Sequence, residues 1–392
     1  MWAYGLDKDG NQALQKIAPN KRKPSDGIKR LNIELPKLKC DEVLLKIKTS
    51  SLNYNSIWSA LSVPISPFQL ISGHVQRNKT DRDHIQNFVV YGSDASGIVC
   101  EVGKKVKKWK VGDKVIVHCN VVNSNDPVNQ RDELLSESQS IWGYETNFGA
   151  FSQYSKVKSS QLIKKPEHLS WEVAGSFCLT LSTAYRMLFS NNAFKISPND
   201  NCLIWGASGG LGNFAIQLVK LAGANPIAVV SSDEKMKQAA LLGAKTIINR
   251  KKENFNNFIL DNGEPNYLSW RKAKKLLESK GIYNLHCVFD HVGRETISAS
   301  LFLLNRGGTI VTCAASSGYN TVIDLRYLWM SVKKIIGSHI ANSSEAELAA
   351  RLVFEGKIKP LIYKVCSIHD LPKMADILYE NTSYGKIVFV HD

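Results

Sequence analysis

Long apolar runs are missing from this 392-residue chain: no stretch approaches the ~18 uninterrupted apolar residues that a membrane-spanning helix needs. The first ten residues carry no basic flank followed by an apolar segment, so no secretory signal is expected. Clustered cysteines are missing too. The eight cysteines stand at 40, 100, 119, 178, 202, 287, 313 and 366, with no Cys-x-x-Cys among them, which argues against a zinc knuckle and a compact disulfide framework. A reducing, cytoplasmic compartment is the expectation. Acidic residues are in the minority, 35 against 50 basic ones, for a formal charge of +15. That balance suits anionic partners, among them a phosphorylated cofactor. The basic residues are scattered, with mild clusters at 21–23 and 104–110, and no basic helix is interleaved with aromatics, so neither nucleic acid nor membrane is an expected partner. What remains is a globular composition, 44% hydrophobic and 22% charged, over a length that suits two or three domains at about 100–200 residues each.

Up to about residue 195 the texture is β-rich. Short strand-like runs at 42–47, 88–90, 97–102 and 114–118 are punctuated by Gly, Asp and Asn. Two polar stretches, 74–87 and 121–139, read as long surface loops. From 196 the pattern changes to alternating strand and helix: apolar runs at 201–205, 226–230, 285–289 and 308–312, with helical patterns at 213–222 and 234–242. That alternation predicts a doubly wound parallel sheet, an α/β fold. One more helix is expected near 344–354 and a final strand at 386–390.

The first apolar run of that second region leads into Gly206, Ala207, Ser208, Gly209, Gly210, Leu211 and Gly212, and the cluster opens an amphipathic helix. Glycine permits the tight turn and lets the backbone approach a pyrophosphate, while the helix N-terminus offers free N–H groups and a positive dipole end. A glycine cluster alone only marks a turn; strand, cluster, helix and second strand within one unit mark a dinucleotide cradle. The second strand ends at Ser231 and Ser232, followed by Asp233, Glu234 and Lys235. An NAD site places an acidic side chain there for the ribose 2′-hydroxyl, whereas small hydroxyls and a lysine accommodate a 2′-phosphate. NADPH is therefore expected over NADH, with Asp233 as the dissenting neighbour. A zinc site is not expected: His118 and Cys119 are adjacent, and 92–97 holds neither His nor Glu.

Gly92-Ser-Asp-Ala-Ser-Gly97, Val111-Gly-Asp-Lys-Val115 and Ser182-Thr-Ala-Tyr185, upstream of Gly206–Gly212, resemble the zinc-free branch of the medium-chain dehydrogenase/reductase superfamily. Within it the chain resembles the crotonyl-CoA carboxylase/reductases. The closer match is carried by Ser50-Ser-Leu-Asn-Tyr-Asn55, Ile141-Trp-Gly-Tyr-Glu-Thr-Asn-Phe-Gly149, Leu203-Ile-Trp-Gly-Ala-Ser-Gly-Gly-Leu-Gly212, Ala224-Asn-Pro226, Gly293-Arg-Glu295, Arg326-Tyr-Leu-Trp-Met-Ser331 and Ile335-Ile-Gly-Ser-His339. The resemblance implies a GroES-like catalytic domain over 1–195 and 341–392, with an NADP-binding Rossmann domain over 196–340. It implies a homo-oligomer, a tetramer, and reduction of crotonyl-CoA by NADPH with capture of CO2 to give ethylmalonyl-CoA.

By the same resemblance, Asn55 would donate its amide to one CO2 oxygen, and His339 would hold the other through a water that Glu145 fixes. Tyr144 stands where the family pattern has Phe, at the position that shields the enolate from protons. Thr183, Cys313 and Ala314 would lie near the nicotinamide ribose, Lys386 at the pyrophosphate, and Arg306 and Arg326 at the coenzyme A phosphates. Singly, each has a plainer reading: Asn55 a turn residue, Glu145 a solvated carboxylate, His339 a core histidine, the arginines solvated charge. Asn53 is near enough to be the reaching amide in place of Asn55. Asp290 and Val292 replace Glu and Pro around His291, and Leu181 replaces an Asn before Ser182, which leaves a larger acyl chain or an acyl-carrier-protein thioester open. Two other functions compete: a plain enoyl-thioester or quinone reductase, and a non-catalytic nucleotide- or RNA-binding relative.

Overall fold

The structure, a computed structural model, describes all 392 residues and divides into two compact units. The first joins Met1–Leu179 to Ala341–Asp392; the second is Thr180–Ile340. The earlier division falls inside the helix Cys178–Phe189 rather than at 195/196. Sequence texture marks where strand–helix alternation begins, whereas packing assigns the preceding helix from Thr180 onward to the second unit.

The first unit's N-terminal part contains β1 (Trp2–Asp7), β2 (Lys29–Asn32), β3 (Glu42–Ser51), β4 (Phe88–Val90), β5 (Ala95–Val102), β6 (Lys114–Val117), β7 (Asn120–Val121), β8 (Ser140–Ile141), β9 (Tyr154–Lys158) and β10 (Leu162–Lys164). The second unit holds β11 (Asn201–Ile204), β12 (Asn225–Val230), β13 (Thr246–Asn249), β14 (Cys287–Asp290), β15 (Thr309–Thr312) and β16 (Lys334–Gly337). The chain then returns to the first unit for β17 (Ile362–Ser367) and β18 (Lys386–Val390).

In the first unit, Val43, Leu45 and Ile47 alternate along β3 and are fully buried. They pack with Val99, Val115, Val117, Trp142, Val157 and Leu162. Each such aliphatic side chain gains roughly 1.5–3 kcal/mol by leaving water. The resulting sheet runs β10-β6-β5-β3-β18-β17, with β9 on β3, beside a smaller sheet β2-β1-β4. Strand β18 pairs antiparallel with β3, Val388 opposite Ser51, and that register brings the C-terminal strand to the residues following β3. The stretch 74–87 is not all loop: its first residues complete the helix Pro67–Arg77. Ser66 caps that helix reciprocally with Gln69, and Pro67 sits in its first turn, an N-terminal signature the polar composition of 74–87 masked.

The second unit is a fully parallel six-stranded sheet in the order β13-β12-β11-β14-β15-β16. Strand order reverses between β11 and β14, and α/β sheets bind ligands at the carboxyl ends of their strands at such a point. The doubly wound α/β class expected from the alternation is what the chain adopts. Strand β13, four residues at the sheet edge, is an addition to the expected set.

Two histidines of the first unit are held neutral. Burial, reinforced by the Lys156 ammonium, pushes His84 down to about 3, and burial pushes His391 down to about 3. Their unfolded-state pKa is about 6.5. A depressed folded pKa gives stability that is present above the unfolded value and lost as pH falls toward the folded one. Between about pH 6 and 4, the two extra protons that these histidines bind on unfolding give a slope of about 2.7 kcal/mol per pH unit, and His118, also pushed down by burial, adds to it. In the second unit the same term is offset, because His291 is pushed down to about 4 by burial while Asp290 is pushed up to about 6 by burial. Urea unfolding followed by tryptophan fluorescence at pH 7, 6, 5 and 4 is expected to show the first unit failing first. His391→Gln is expected to lower that slope by about a third to a half; a midpoint flat with pH would contradict the assignment.

Candidate active site

In the first unit, candidate site residues gather around Gly92 and Ser93. Gly92 and Gly143 both have positive φ, +107° and +68°, and a Cβ on Gly143 would lie 1.9 Å from the Gly92 carbonyl oxygen. Only glycine permits that approach. The hairpin-like return is sealed by Ala150 N–H to Gly92 O (2.9 Å) and Phe151 N–H to Tyr91 O (2.9 Å). Asn147 clamps the same segment: its Oδ1 accepts from Val90 N (2.9 Å) and its Nδ2 donates to Phe88 O (2.8 Å). The turn 141–146 is thus fixed beside Ser93. Tyr144 and Glu145 are half-buried on it. Glu145 N–H donates to Ile141 O (2.8 Å) and Glu145 Oε2 accepts from Ile141 N–H (2.9 Å). Asn55, half-buried in the first turn of the helix Tyr54–Leu61, donates Nδ2 to Ser93 Oγ (2.9 Å). The structure therefore brings Asn55 and the Tyr144–Glu145 turn onto one short frame.

Asn53 is the buried one of the two amides. Its Oδ1 accepts from Lys386 Nζ and its Nδ2 donates to Asp94 Oδ2 (2.9 Å), so both ends of its carboxamide are engaged by buried charges, whereas half-buried Asn55 donates to the neutral Ser93 hydroxyl. This also corrects the expectation for Lys386. Its ammonium is 1% exposed and lies 3.1 Å from Asp94 Oδ2, inside the first unit, not presented to a pyrophosphate. Burial lowers its pKa, and the Asp94 carboxylate opposes that shift.

In the second unit, the cofactor-binding candidates lie at the carboxyl ends of its strands. Gly206 has φ +56°, and a Cβ there would meet His291 Cε1 at 2.7 Å, so this glycine makes room for the imidazole at the end of β14. A Cβ on Gly212 would press on Gly206 O at 2.4 Å, which explains close helix–strand packing. Gly209 meets only Gly206 O, at 3.3 Å, and is the open face of the loop. Asn213 Nδ2 holds the carbonyls of Gly209 (2.9 Å) and Gly210 (2.7 Å). Ala207 and Ser208 are buried; Gly210 and Leu211 are partly exposed. These backbone N–H groups open the helix Gly212–Leu221, the arrangement a pyrophosphate needs.

At the end of β12, Ser232 Oγ caps the next helix through Lys235 N–H (3.3 Å), and Ser231 is half-buried beside it. Asp233 no longer dissents: its carboxylate is 2.5 Å from Lys252 Nζ and accepts from Asn249 Nδ2 (3.0 Å), and the Lys252 bond lowers its pKa. Lys235 is pushed down to about 8 by burial and by the nearby cations Arg250 and Lys251. The sequence reading missed Arg250, Lys251 and Lys252; the signal was a basic run directly after the short strand β13.

Thr183 is buried on the helix Cys178–Phe189. Cys313 and Ala314 follow β15, where Thr312 Oγ1 donates to Ala314 O (3.2 Å), and burial pushes the Cys313 thiol up to about 12. His339 follows β16 and is exposed, not a core histidine. Arg306 is exposed and donates Nη1 to Met330 O (2.9 Å). Arg326 is locked on Asp324 through Nε (3.0 Å) and Nη2 (2.7 Å), so its fork already has a carboxylate partner. Asp290 closes its own turn, accepting from Thr296 Oγ1 (2.6 Å), Val292 N and Gly293 N.

The chain matches the zinc-binding dehydrogenase family over residues 210–355 and the alcohol dehydrogenase GroES-like domain over residues 39–167. A crotonyl-CoA reductase of Streptomyces avermitilis is 40% identical over 386 residues, covering 98% of this chain and 86% of that protein. A crotonyl-CoA carboxylase/reductase of Cereibacter sphaeroides is 42% identical over 357 residues, 89% of this chain and 80% of that one. Among solved structures, the 2-octenoyl-CoA carboxylase reductase CinF in complex with NADP and 2-octenoyl-CoA superposes with a TM-score of 0.94 at 38% identity, over 100% of this chain and 87% of that chain. The zinc of the first family match does not fit the residues gathered near Asp94: the Lys386 ammonium already neutralises the carboxylate, burial raises the Cys178 and Cys119 thiols well above their usual range, and the His118 ring is taken by Ala341 O (2.9 Å) and Cys178 Sγ (4.0 Å). Elsewhere, His74, Asp81 and His84 approach one another, as do Glu42, Asp83 and His84. Lys39 and Lys156 hold those carboxylates, and a cation would have to displace them.

Proposed function

The chain belongs to the crotonyl-CoA carboxylase/reductase family, and we propose that it reduces crotonyl-CoA, or a related enoyl thioester, with NADPH and captures CO2 on the resulting enolate. With crotonyl-CoA the product is ethylmalonyl-CoA. NADPH, when bound, supplies a hydride to the β-carbon of the thioester. The electron pair that develops at the α-carbon then forms a carbon–carbon bond with CO2, whose displaced π pair becomes the new carboxylate. The protein's task is to hold a neutral, weakly binding gas and to keep protons away until that bond forms. The Asn55 amide donates to one CO2 oxygen. Glu145 orders the water through which His339 holds the other. Tyr144 covers the enolate, its phenol standing where the family pattern has Phe. The observation carrying this reading is the joint fixing of Asn55 and Glu145 on the Gly92–Ser93 frame.

Crotonyl-CoA, NADPH and isotopic bicarbonate, followed by mass analysis of the product, test the reading. Labelled ethylmalonyl-CoA is expected. Butyryl-CoA alone at saturating CO2 would reject the carboxylase half and keep the plain reductase.

The preference for NADPH is supported by the pairing of Asp233 with Lys252 and by the cations Lys235, Arg250 and Lys251 at the ends of β12 and β13. Arg250→Ala is expected to raise the KM for NADPH by roughly 10- to 150-fold, from the ~1.5–3 kcal/mol of a charge-assisted hydrogen bond, and to leave the KM for NADH little changed. Equal losses for both cofactors in steady-state assays would remove the 2′-phosphate from the account.

A homo-oligomer, a tetramer, is supported by the exposed edge strand β16 and by Leu325, Trp329, Met330 and Val332, which are 56–68% exposed. No helix is long and apolar enough to cross a membrane, and all eight cysteines are free, which accords with a reducing cytoplasmic setting. The Arg306 and Arg326 contacts to coenzyme A have the weakest support, because both guanidiniums already have internal partners.

A further inference from the structure

Outside the groups assigned above, the first unit contains a carboxylate, an imidazole and a hydroxyl in line: Asp81, His74 and Ser140. Asp81 Oδ2 lies 3.0 Å from His74 Nε2, and His74 Nδ1 lies 2.8 Å from Ser140 Oγ. The order resembles that of a hydrolase nucleophile, but Ser140 and His74 are 0% exposed and Asp81 is 3% exposed, so no substrate reaches the hydroxyl.

The proton directions follow from the donor inventory. Asp81 accepts, so the imidazole proton sits on Nε2 and Nδ1 is an acceptor. Asn78 Nδ2, 3.3 Å from Nδ1, agrees with that tautomer. Ser140 therefore donates its proton to His74 and offers its lone pairs elsewhere. Arg77 Nη2 donates to one of them at 3.3 Å. The same Nη2 lies 3.8 Å from Glu145 Oε1, the carboxylate oxygen not used by Ile141 N–H. Arg77 ends the capped helix Pro67–Arg77, and Lys39, in the loop before β3, anchors Asp81 at 2.7 Å, so both ends of the line are held.

We propose that Arg77 is a positioning residue for Glu145: the buried Asp81–His74–Ser140 line aims its guanidinium at Oε1 and fixes the carboxylate that orders the CO2-site water. The proposal rests on the carboxylation reading above. Its strength is that of a partly exposed pair, Arg77 at 40% and Glu145 at 20% side-chain exposure. The expected effect is accordingly modest, roughly a two- to fivefold change.

The full-length Arg77→Met, Arg77→Lys, Ser140→Ala and Glu145→Gln variants, with crotonyl-CoA, NADPH and isotopic bicarbonate, provide the test. The readout is the ratio of carboxylated to reduced product, which general destabilisation does not move. Arg77→Met is expected to lower the ratio roughly two- to fivefold with the KM for NADPH unchanged, Ser140→Ala to lower it less, and Arg77→Lys to restore most of it. An unchanged ratio in Arg77→Met beside a lowered one in Glu145→Gln overturns the positioning role and leaves the carboxylase reading intact. An unchanged ratio in both overturns the role of Glu145, and the proposal with it. Should Arg77→Met fail to fold, Arg77→Gln at the same exposed helix end carries the same expectation.

Discussion

Glu145→Gln, given crotonyl-CoA, NADPH and bicarbonate, is expected to yield mostly butyryl-CoA in place of ethylmalonyl-CoA. The substitution is nearly isosteric. Its side-chain oxygen can still accept from Ile141 N–H, at 2.9 Å in the wild-type chain, so the turn 141–146 is expected to survive. What disappears is the negative charge on the oxygen facing outward, with its ability to accept two strong hydrogen bonds from water or imidazolium. A hydrogen bond to a charged group contributes ~1.5–3 kcal/mol, so the carboxylated-to-reduced ratio is expected to fall about 10- to 150-fold. Reduction has a lower requirement, since protonation of the enolate needs no gas to be held, and NADPH oxidation therefore persists. His339→Asn is the companion variant. If His339 and Glu145 share one water, the double variant should lose little more than either single one, because removing either end releases the same molecule. Additive losses would separate the two residues, and an unaltered ratio in Glu145→Gln would leave this chain a plain reductase.

The parts of this site that could be read from the sequence are those written locally. Gly206–Gly212 follows a strand and opens a helix within a few residues, so each glycine's neighbours along the chain already state the geometry. Position 143 was equally local in sequence, but its reason for being glycine, the carbonyl of Gly92, comes from a different part of the chain. The misreadings share that character. Lys386 at the pyrophosphate is what the family resemblance implies; its partner in the fold, Asp94, is brought to it by the pairing of β18 and β5 on the two sides of β3. The same pairing brings Lys386 onto the Asn53 carboxamide. Asp233 counts against NADPH in the sequence alone; in the fold its carboxylate is paired with Lys252, just past β13. Arg326 is the opposite case. Asp324 stands two residues before it at a helix N-cap, so its internal pairing was legible and was passed over.

Lys386→Met is expected to cost stability, not cofactor affinity. The ammonium is 1% exposed and Asp94 is 0% exposed. In the wild-type chain Asp94 Oδ2 receives Lys386 Nζ at 3.1 Å, Asn53 Nδ2 at 2.9 Å and Ser51 Oγ at 3.3 Å, while Oδ1 receives Leu179 N–H at 2.7 Å. Three neutral donors remain after the substitution, but the buried negative charge has lost its counter-charge. Breaking a buried pair on one side costs about 3–5 kcal/mol, because desolvation of the survivor is no longer offset. For a unit of this size that is a fall in melting temperature of about 6–20 °C. Asp94→Asn combined with Lys386→Met removes both charges and keeps an oxygen for the Leu179 amide, so the double variant should recover a large part of the loss. Urea unfolding of the wild type, both single variants and the double variant yields the coupling directly. NADPH titrations on the same four proteins separate the two roles: a Lys386→Met enzyme with an unaltered melting temperature and a weakened NADPH complex would return this lysine to the pyrophosphate. A destabilised enzyme that still binds NADPH normally below its melting temperature places it where the Asp94 contact does, as the internal cation that holds β18, Asn53 and the Gly92–Ser93 frame in one piece.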